Sequence, residues 1–186
     1  MRYRDKGLLQ GEPRDDDAGN GACMRNLPVI LATLFTPNNF TDWTLQQSHI
    51  THHHSLSDAA TLALGRMTQR LILDEGLAAC GAEVENLIGQ FDCFKFQPYP
   101  GKSSGFIVDT VQTVLHNFFN TDNFEDCLIA TINQGGDADT TGALAGMLAG
   151  AKYGLANIPN RWLAKLDKSV SEQIRKQTLA LITKPC

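Results

Sequence analysis

With 186 residues, 42% of them hydrophobic and 19% charged, the chain holds enough apolar material for one packed core, which excludes wholesale disorder. A net charge of −4 excludes a broadly basic surface of the kind that binds nucleic acid. No apolar run reaches the roughly 20 residues of a membrane span.

The five cysteines, Cys23, Cys80, Cys93, Cys127 and Cys186, are odd in number and form no Cys-x-x-Cys pair. Reduced thiols in a cytoplasmic protein are therefore expected. The start, Met1 to Lys6, is polar with no apolar segment behind it, so no leader peptide is expected. A single domain spanning 1–186 is the expected organisation.

In chain order, residues 1–19 read as a polar loop with Gly7, Gly11, Pro13 and the run Asp15-Asp16-Asp17. The glycine-flanked turn Gly19-Asn20-Gly21 leads into an apolar helix over Leu27–Leu34, with Pro28 suited to its first turn. Such a turn can cradle a phosphate through backbone N–H groups, but it matches no established nucleotide fingerprint and also reads as a plain turn.

Residues 36–42 read as loop, with a helix from about Asp42 carrying Trp43, Leu45 and Ile50. In Thr51-His52-His53-His54, neighbouring histidines of a helix would point about 100° apart, so one or two at most serve one site. His49 and His53 have the spacing of a zinc pair but lack the accompanying Glu. Ser57-Asp58 opens a helix over Ala59–Leu73, followed by a break at Gly76 or Gly81 and a short helix near Val84–Ile88.

Residues 90–105 are rich in aromatics and turn formers, either a functional loop or an apolar lid. Helices follow over Phe106–Phe119, with an apolar stripe from Ile107 to Phe119, and over Phe124–Ile132. The last helix is expected over about Ser169–Ile182. Period-two alternation is missing, so the expected class is all-α, with orthogonally packed helices.

The stretch Asn133 to Gly142 carries the chemistry. Asp137 and Asp139 stand two residues apart, and Thr140 and Thr141 follow. Carboxylates and a hydroxyl suit a hard divalent cation better than zinc. The same residues are ordinary caps for a helix running through Ala143–Tyr153, and local pattern alone leaves capping and metal binding both open. Gly142, Gly146 and Gly150 recur every four residues and imply a close neighbour along one helical face.

Taken together, Gly19–Arg25, Thr51-His52, Ser104–Thr110, Asn133–Gly154 and Ile158–Leu163 give the chain a clear resemblance to the ADP-ribosylglycohydrolases. The resemblance implies an all-α bundle and a site with two divalent cations, Mn2+ or Mg2+. It implies metal ligation by Asp137, Asp139 and Thr140, with Asp137 and Asp139 at the chemical centre. It implies ribose and diphosphate contacts from Asn20 and Gly21, a substrate contact from His52, and Phe106 near the adenine.

The implied reaction is hydrolysis of the N-glycosidic bond between ADP-ribose and an arginine of a modified protein, with ADP-ribose as product. In the branch found in nitrogen-fixing bacteria that protein is dinitrogenase reductase, and the outcome is reactivation of nitrogenase.

The family's opening Gly-Asp-Ala-Gly-like helix and Thr-Asp-Asp motif are not matched, so the bundle is expected to lack its first helices. The chain is expected to be a truncated frame, weakly active or inactive alone. The unmatched ligands would leave Asp137 and Asp139 as poorly compensated like charges that weaken the fold locally.

Two rivals remain at this level. One is an ADP-ribose-binding or regulatory remnant without turnover. The other is a haloacid dehalogenase-type phosphatase, whose Asp-x-Asp-x-Thr pattern Asp137 to Thr141 formally fits.

Overall fold

The computed structural model describes residues 9–183. The expectations for Met1–Lys6, Gly7 and Cys186 lie outside the described residues. Among those described there are ten α-helices and no strand. They are α1 (Gly21–Met24), α2 (Leu27–Ala32), α3 (Pro37–Ser48), α4 (Ser55–Ile72), α5 (Gly76–Gln90), α6 (Ile107–Phe119), α7 (Phe124–Ile132), α8 (Ala138–Tyr153), α9 (Asn160–Leu163) and α10 (Lys168–Thr183).

The centre of the bundle is α6. Ile107, Val111, Val114, Leu115 and Phe118 are fully or almost fully buried along it, and Thr110, Thr113 and Asn117 are buried too. A helix covered all round lies inside its domain. It packs with α4, α7 and α8, and the shared core takes in Met67, Leu64, Leu144 and Leu148. By contrast, α10 has no buried residue.

The glycine stripe of α8 faces α7 in order. An added Cβ would meet Ile132 Cγ1 at 3.0 Å from Gly142, Leu128 Cδ1 at 3.6 Å from Gly146, and Phe124 at 3.9 Å from Gly150. Only at the first position would an added Cβ press on its neighbour, by a few tenths of an ångström. Both stripes advance by four residues in opposite directions, so α7 and α8 run antiparallel. The reversal between them uses two left-handed residues, Gly135 (φ 71°) and Gly136 (φ 60°).

Several boundaries differ from the sequence reading. Helix α3 begins at Pro37, whose fixed φ and missing N–H suit a first turn. Helix α4 begins at Ser55, because the His54 side chain accepts the Leu56 N–H at 3.1 Å and caps it. Helix α5 runs over fifteen residues because Gly81 does not break it. The interruption falls at Asp74 (φ 59°) and Gly76 (φ 81°), the first of the two expected positions. Helix α8 starts at Ala138, so Asp139 to Thr141 lie inside its first turn.

The aromatic segment after α5 lies against α6 and delivers the next loop to the site. Phe94 is fully buried, Phe96 stacks on Phe119 at 6.0 Å and Tyr99 on His116 at 4.5 Å. Gln112 Nε2 donates to the carbonyls of Cys93 (2.8 Å) and Lys95 (2.7 Å). Thr113 Oγ1 donates to the Lys102 carbonyl at 2.8 Å.

Candidate functional site

Three chain segments meet where α1, α6 and α8 begin. Asn20, Phe106 and Asp137 are the residues immediately before these helices. Backbone bonds lace the segments together: Asn20 N–H to Gly105 O (3.1 Å), Ile107 N–H to Ala18 O (2.9 Å) and Asp137 N–H to Ser103 O (3.3 Å). Gly19 and Phe106 form an isolated antiparallel bridge. An added Cβ on Gly136 would sit 1.7 Å from Ser103 O, so this crossing requires glycine.

Asn20 joins the turn to the acid pair. Its Nδ2 donates to Asp137 Oδ2 at 2.6 Å and to Thr110 Oγ1 at 2.9 Å. Thr110 spends its own hydroxyl proton on Ser104 O at 2.8 Å, so it can only accept from Asn20. That fixes the amide with nitrogen towards Asp137 and leaves no flipped alternative. Asn20 is 7% exposed and Asp137 half-buried, so the pairing is shielded on its Asn20 side and open to water on its Asp137 side.

Asp137 Oδ1 accepts from Thr140 Oγ1 at 2.9 Å. The Asn20 donation holds the Asp137 carboxyl below its ordinary pKa; partial burial opposes this, while Thr140 and Asp139 add to the lowering. Side-chain donors from Asn20 and Thr140 thus compensate the Asp137 charge.

Asp139 is exposed, and its Oδ1 accepts the Thr140 N–H at 2.8 Å. Thr140 is 3% exposed and lies against Met24, with Oγ1 3.5 Å from the thioether sulfur.

His52 lies across the glycine turn. A Cβ at Gly19 would come within 2.8 Å of its Nε2, and one at Gly21 within 2.6 Å of its Cε1. The glycines admit the ring. Burial lowers the His52 pKa first, the nearby Arg25 charge lowers it further, and Asp17 opposes both. His53 and His54 serve elsewhere. His53 stacks on His49 at 3.6 Å and bonds Gly11 O, while His49 Nε2 bonds Asp58 Oδ2 at 2.9 Å.

Asn20, Gly21, His52, Phe106, Asp137, Asp139 and Thr140 thus converge on one surface region. Phe106 is 44% exposed there, which leaves a ring face accessible. The sequence reading missed Thr110 as the acceptor that orients Asn20, Ser103 as the residue over Gly136, and Arg25 beside His52. A buried hydroxyl on an otherwise apolar helix is the signal that would have found Thr110.

The oxygens of Asp137, Asp139 and Thr140 fit a hard divalent cation in kind. Among the described residues no group of three or more His, Cys, Asp or Glu is placed to hold a metal, so Asp137, Asp139 and Thr140 would need further ligands around any cation. The phosphatase reading fails on placement. Its nucleophile follows a buried strand, whereas Asp137 follows α7 and a glycine reversal, and no strand occurs among the described residues.

Residues 2–185 match the profile of the ADP-ribosylglycohydrolases. The chain belongs to the ADP-ribosylglycohydrolase family. It is 56% identical over 181 residues to an ADP-ribosyl-(dinitrogen reductase) glycohydrolase of Rhodospirillum rubrum, covering 97% of this chain and 62% of that protein. It is 34% identical over 164 residues to an ADP-ribosylarginine hydrolase of Serratia proteamaculans, covering 84% of this chain and 44% of that one. A solved chain titled as an ADP-ribosylglycohydrolase-related protein complex superposes with a TM-score of 0.82 at 29% identity, over 97% of this chain and 65% of the other. This family member therefore spans less than two thirds of the length of these relatives.

Proposed function

We propose that this ADP-ribosylglycohydrolase chain binds ADP-ribose attached to a protein arginine and takes part in hydrolysing the N-glycosidic bond between them. The modified protein is proposed to be dinitrogenase reductase, as in the name of the Rhodospirillum relative. The observation that carries the reading is the 2.6 Å bond from Asn20 to Asp137, which places the glycine turn and the acid pair in one centre.

In this reading the Gly19–Gly21 turn offers backbone N–H groups to the diphosphate, and the exposed face of Phe106 receives the adenine. Cleaving a ribosyl bond develops positive character at the anomeric carbon. Asp137, kept ionised by Asn20 and Thr140, and the exposed Asp139 place negative charge beside it. Asp137, Asp139 and Thr140 would hold a Mn2+ or Mg2+ ion, which when bound acidifies water and orients ribose hydroxyls. A second cation would need ligands beyond those described.

Free thiols at Cys23, Cys80, Cys93 and Cys127 and the lack, among described residues, of any helix able to cross a membrane support placement in the cytoplasm.

The test is release of ADP-ribose from an ADP-ribosylated arginine protein, followed chromatographically with and without Mn2+. Release that is abolished by Asp139→Asn supports the proposal. The incomplete metal-ligand set favours a second reading, binding without turnover. Calorimetric ADP-ribose binding by the chain, with no release from the modified protein, would select it.

A further inference from the structure

We infer that Arg25 and Thr51 are positioning residues that fix His52 in the tautomer carrying its proton on Nε2, so that an uncharged N–H donor faces the Gly19–Gly21 turn.

Arg25 is held by five acceptors, all neutral. Its Nε donates to Gln47 Oε1 (2.8 Å), and its two terminal nitrogens donate to Gly21 O (3.3 Å), Gln47 O (2.8 Å), Ser48 O (3.3 Å) and Thr51 Oγ1 (2.6 Å). The guanidinium thereby ties the turn before α1 to the end of α3. It also sets the direction of the next bond. A guanidinium has only donors, so Thr51 Oγ1 accepts from it. The same hydroxyl lies 2.7 Å from His52 Nδ1.

A cationic donor polarises the hydroxyl it binds, which strengthens that hydroxyl as a donor in turn. The relay therefore runs from the Arg25 N–H to the Thr51 oxygen, and from the Thr51 O–H to the Nδ1 lone pair. The reverse arrangement would put two N–H donors, one of them cationic, on one oxygen and leave the hydroxyl proton to solvent, since Thr51 is exposed.

With Nδ1 accepting, a neutral imidazole carries its proton on Nε2. That nitrogen is the atom closest to the position a Gly19 side chain would fill, at 2.8 Å. It makes no hydrogen bond within the protein among the described residues. Burial and the Arg25 charge also favour the uncharged ring. The arrangement supplies a donor to an oxygen of a bound ligand. That a diphosphate or ribose oxygen occupies this place rests on the function proposed above, whereas the tautomer itself does not.

Long-range nitrogen–proton correlation spectra of the full chain labelled with 15N-histidine test the inference, with His52→Gln assigning the signals. The expected pattern at neutral pH is an unprotonated Nδ1 and a protonated Nε2. Thr51→Val should shift the two nitrogens towards a mixture of tautomers and weaken ADP-ribose binding about tenfold, the size of one lost charge-assisted hydrogen bond. Thr51→Ser, which keeps the hydroxyl, should restore both.

A proton on Nδ1 of the unsubstituted chain would overturn the inference. So would a His52 nitrogen pattern unmoved by Thr51→Val. The spectrum of the unsubstituted chain decides even where the Val variant fails to fold. If no form binds ADP-ribose, the proposed function fails while the nitrogen pattern still decides the relay.

Discussion

Asn20→Ala removes both side-chain bonds that join the glycine turn to the rest of the site. One is charge-assisted, to Asp137 Oδ2, and one is neutral, to Thr110 Oγ1. Bonds of these kinds contribute roughly 1.5–3 and about 1 kcal/mol. Two features reduce the sum. Thr110 keeps its bond to Ser104 O, and Asp137 is only half-buried, so water can partly replace the lost donor. A loss of about 2 kcal/mol is expected, or roughly 4–8 °C in Tm for a chain of this size. Denaturant unfolding should show a lower midpoint with an unchanged slope.

The loss should also depend on pH. Asn20 is the largest cause of the lowered Asp137 pKa. A carboxyl whose native pKa is depressed stabilises the fold fully above the unfolded value of about 3.9. That contribution disappears as pH falls through the lower native value. The gap between the unsubstituted and Ala chains should therefore be largest near neutrality and shrink towards about 1 kcal/mol in the acid limb, where only neutral bonds remain. A gap of the same size at both ends would refute the claim that Asn20 acts on an ionised Asp137.

Three further outcomes follow from the packing. Gly136→Ala places a Cβ 1.7 Å from Ser103 O and should lower stability by at least ~2 kcal/mol, while Gly135→Ala meets open space and should show only the ~1–2 kcal/mol of a left-handed backbone, both read by denaturant midpoint. Gly150→Ala, with Phe124 at a comfortable 3.9 Å, should stabilise α8 by up to about 1 kcal/mol, and Gly142→Ala, 3.0 Å from Ile132, should not, as thermal melts will show. A thiol reagent followed by peptide mapping should label exposed Cys93 in the native chain and reach Cys23 only on unfolding, because burial pushes the Cys23 pKa up to about 12.

Local signals in the sequence located much of this architecture. Helix α7 coincides with the expected Phe124–Ile132, bounded by the Asn123 cap whose side chain accepts the Asp126 N–H. The glycine repeat announced a close neighbour, and α7 is that neighbour. Helix α5 is longer than the expected Val84–Ile88 because a glycine inside a helix is not always punctuation. Gly81 and Gly89 cost helix propensity, but Cys80, Val84 and Leu87 bury the helix against the core and outweigh it. At the site, residue types near Asp137 and Asn20 were legible. Their contact, across 117 positions, was not, and neither was the role of Thr110, 90 positions from Asn20. Those are long-range facts that only packing supplies.

The acid pair bears on how a cation would act here. Two carboxylates about 4 Å apart in water repel by about 1 kcal/mol, which bounds the repulsion between neighbouring acids at a wet surface. The Asn20 donation offsets about that much, and the start of α8 adds about 0.3–1 kcal/mol of its own. The folded chain therefore holds Asp137 ionised without a metal, and a bound cation would use a site already assembled. Asp139 separates this from simple capping. Its Oδ1 accepts the Thr140 N–H, a role that asparagine can also perform. Asp139→Asn should change stability by no more than about 0.5 kcal/mol and sharply reduce Mn2+ affinity in a calorimetric titration. Equal Mn2+ binding by the two chains would reduce Asp139 to an acidic residue of the first turn of α8 and remove the cation from the proposed function.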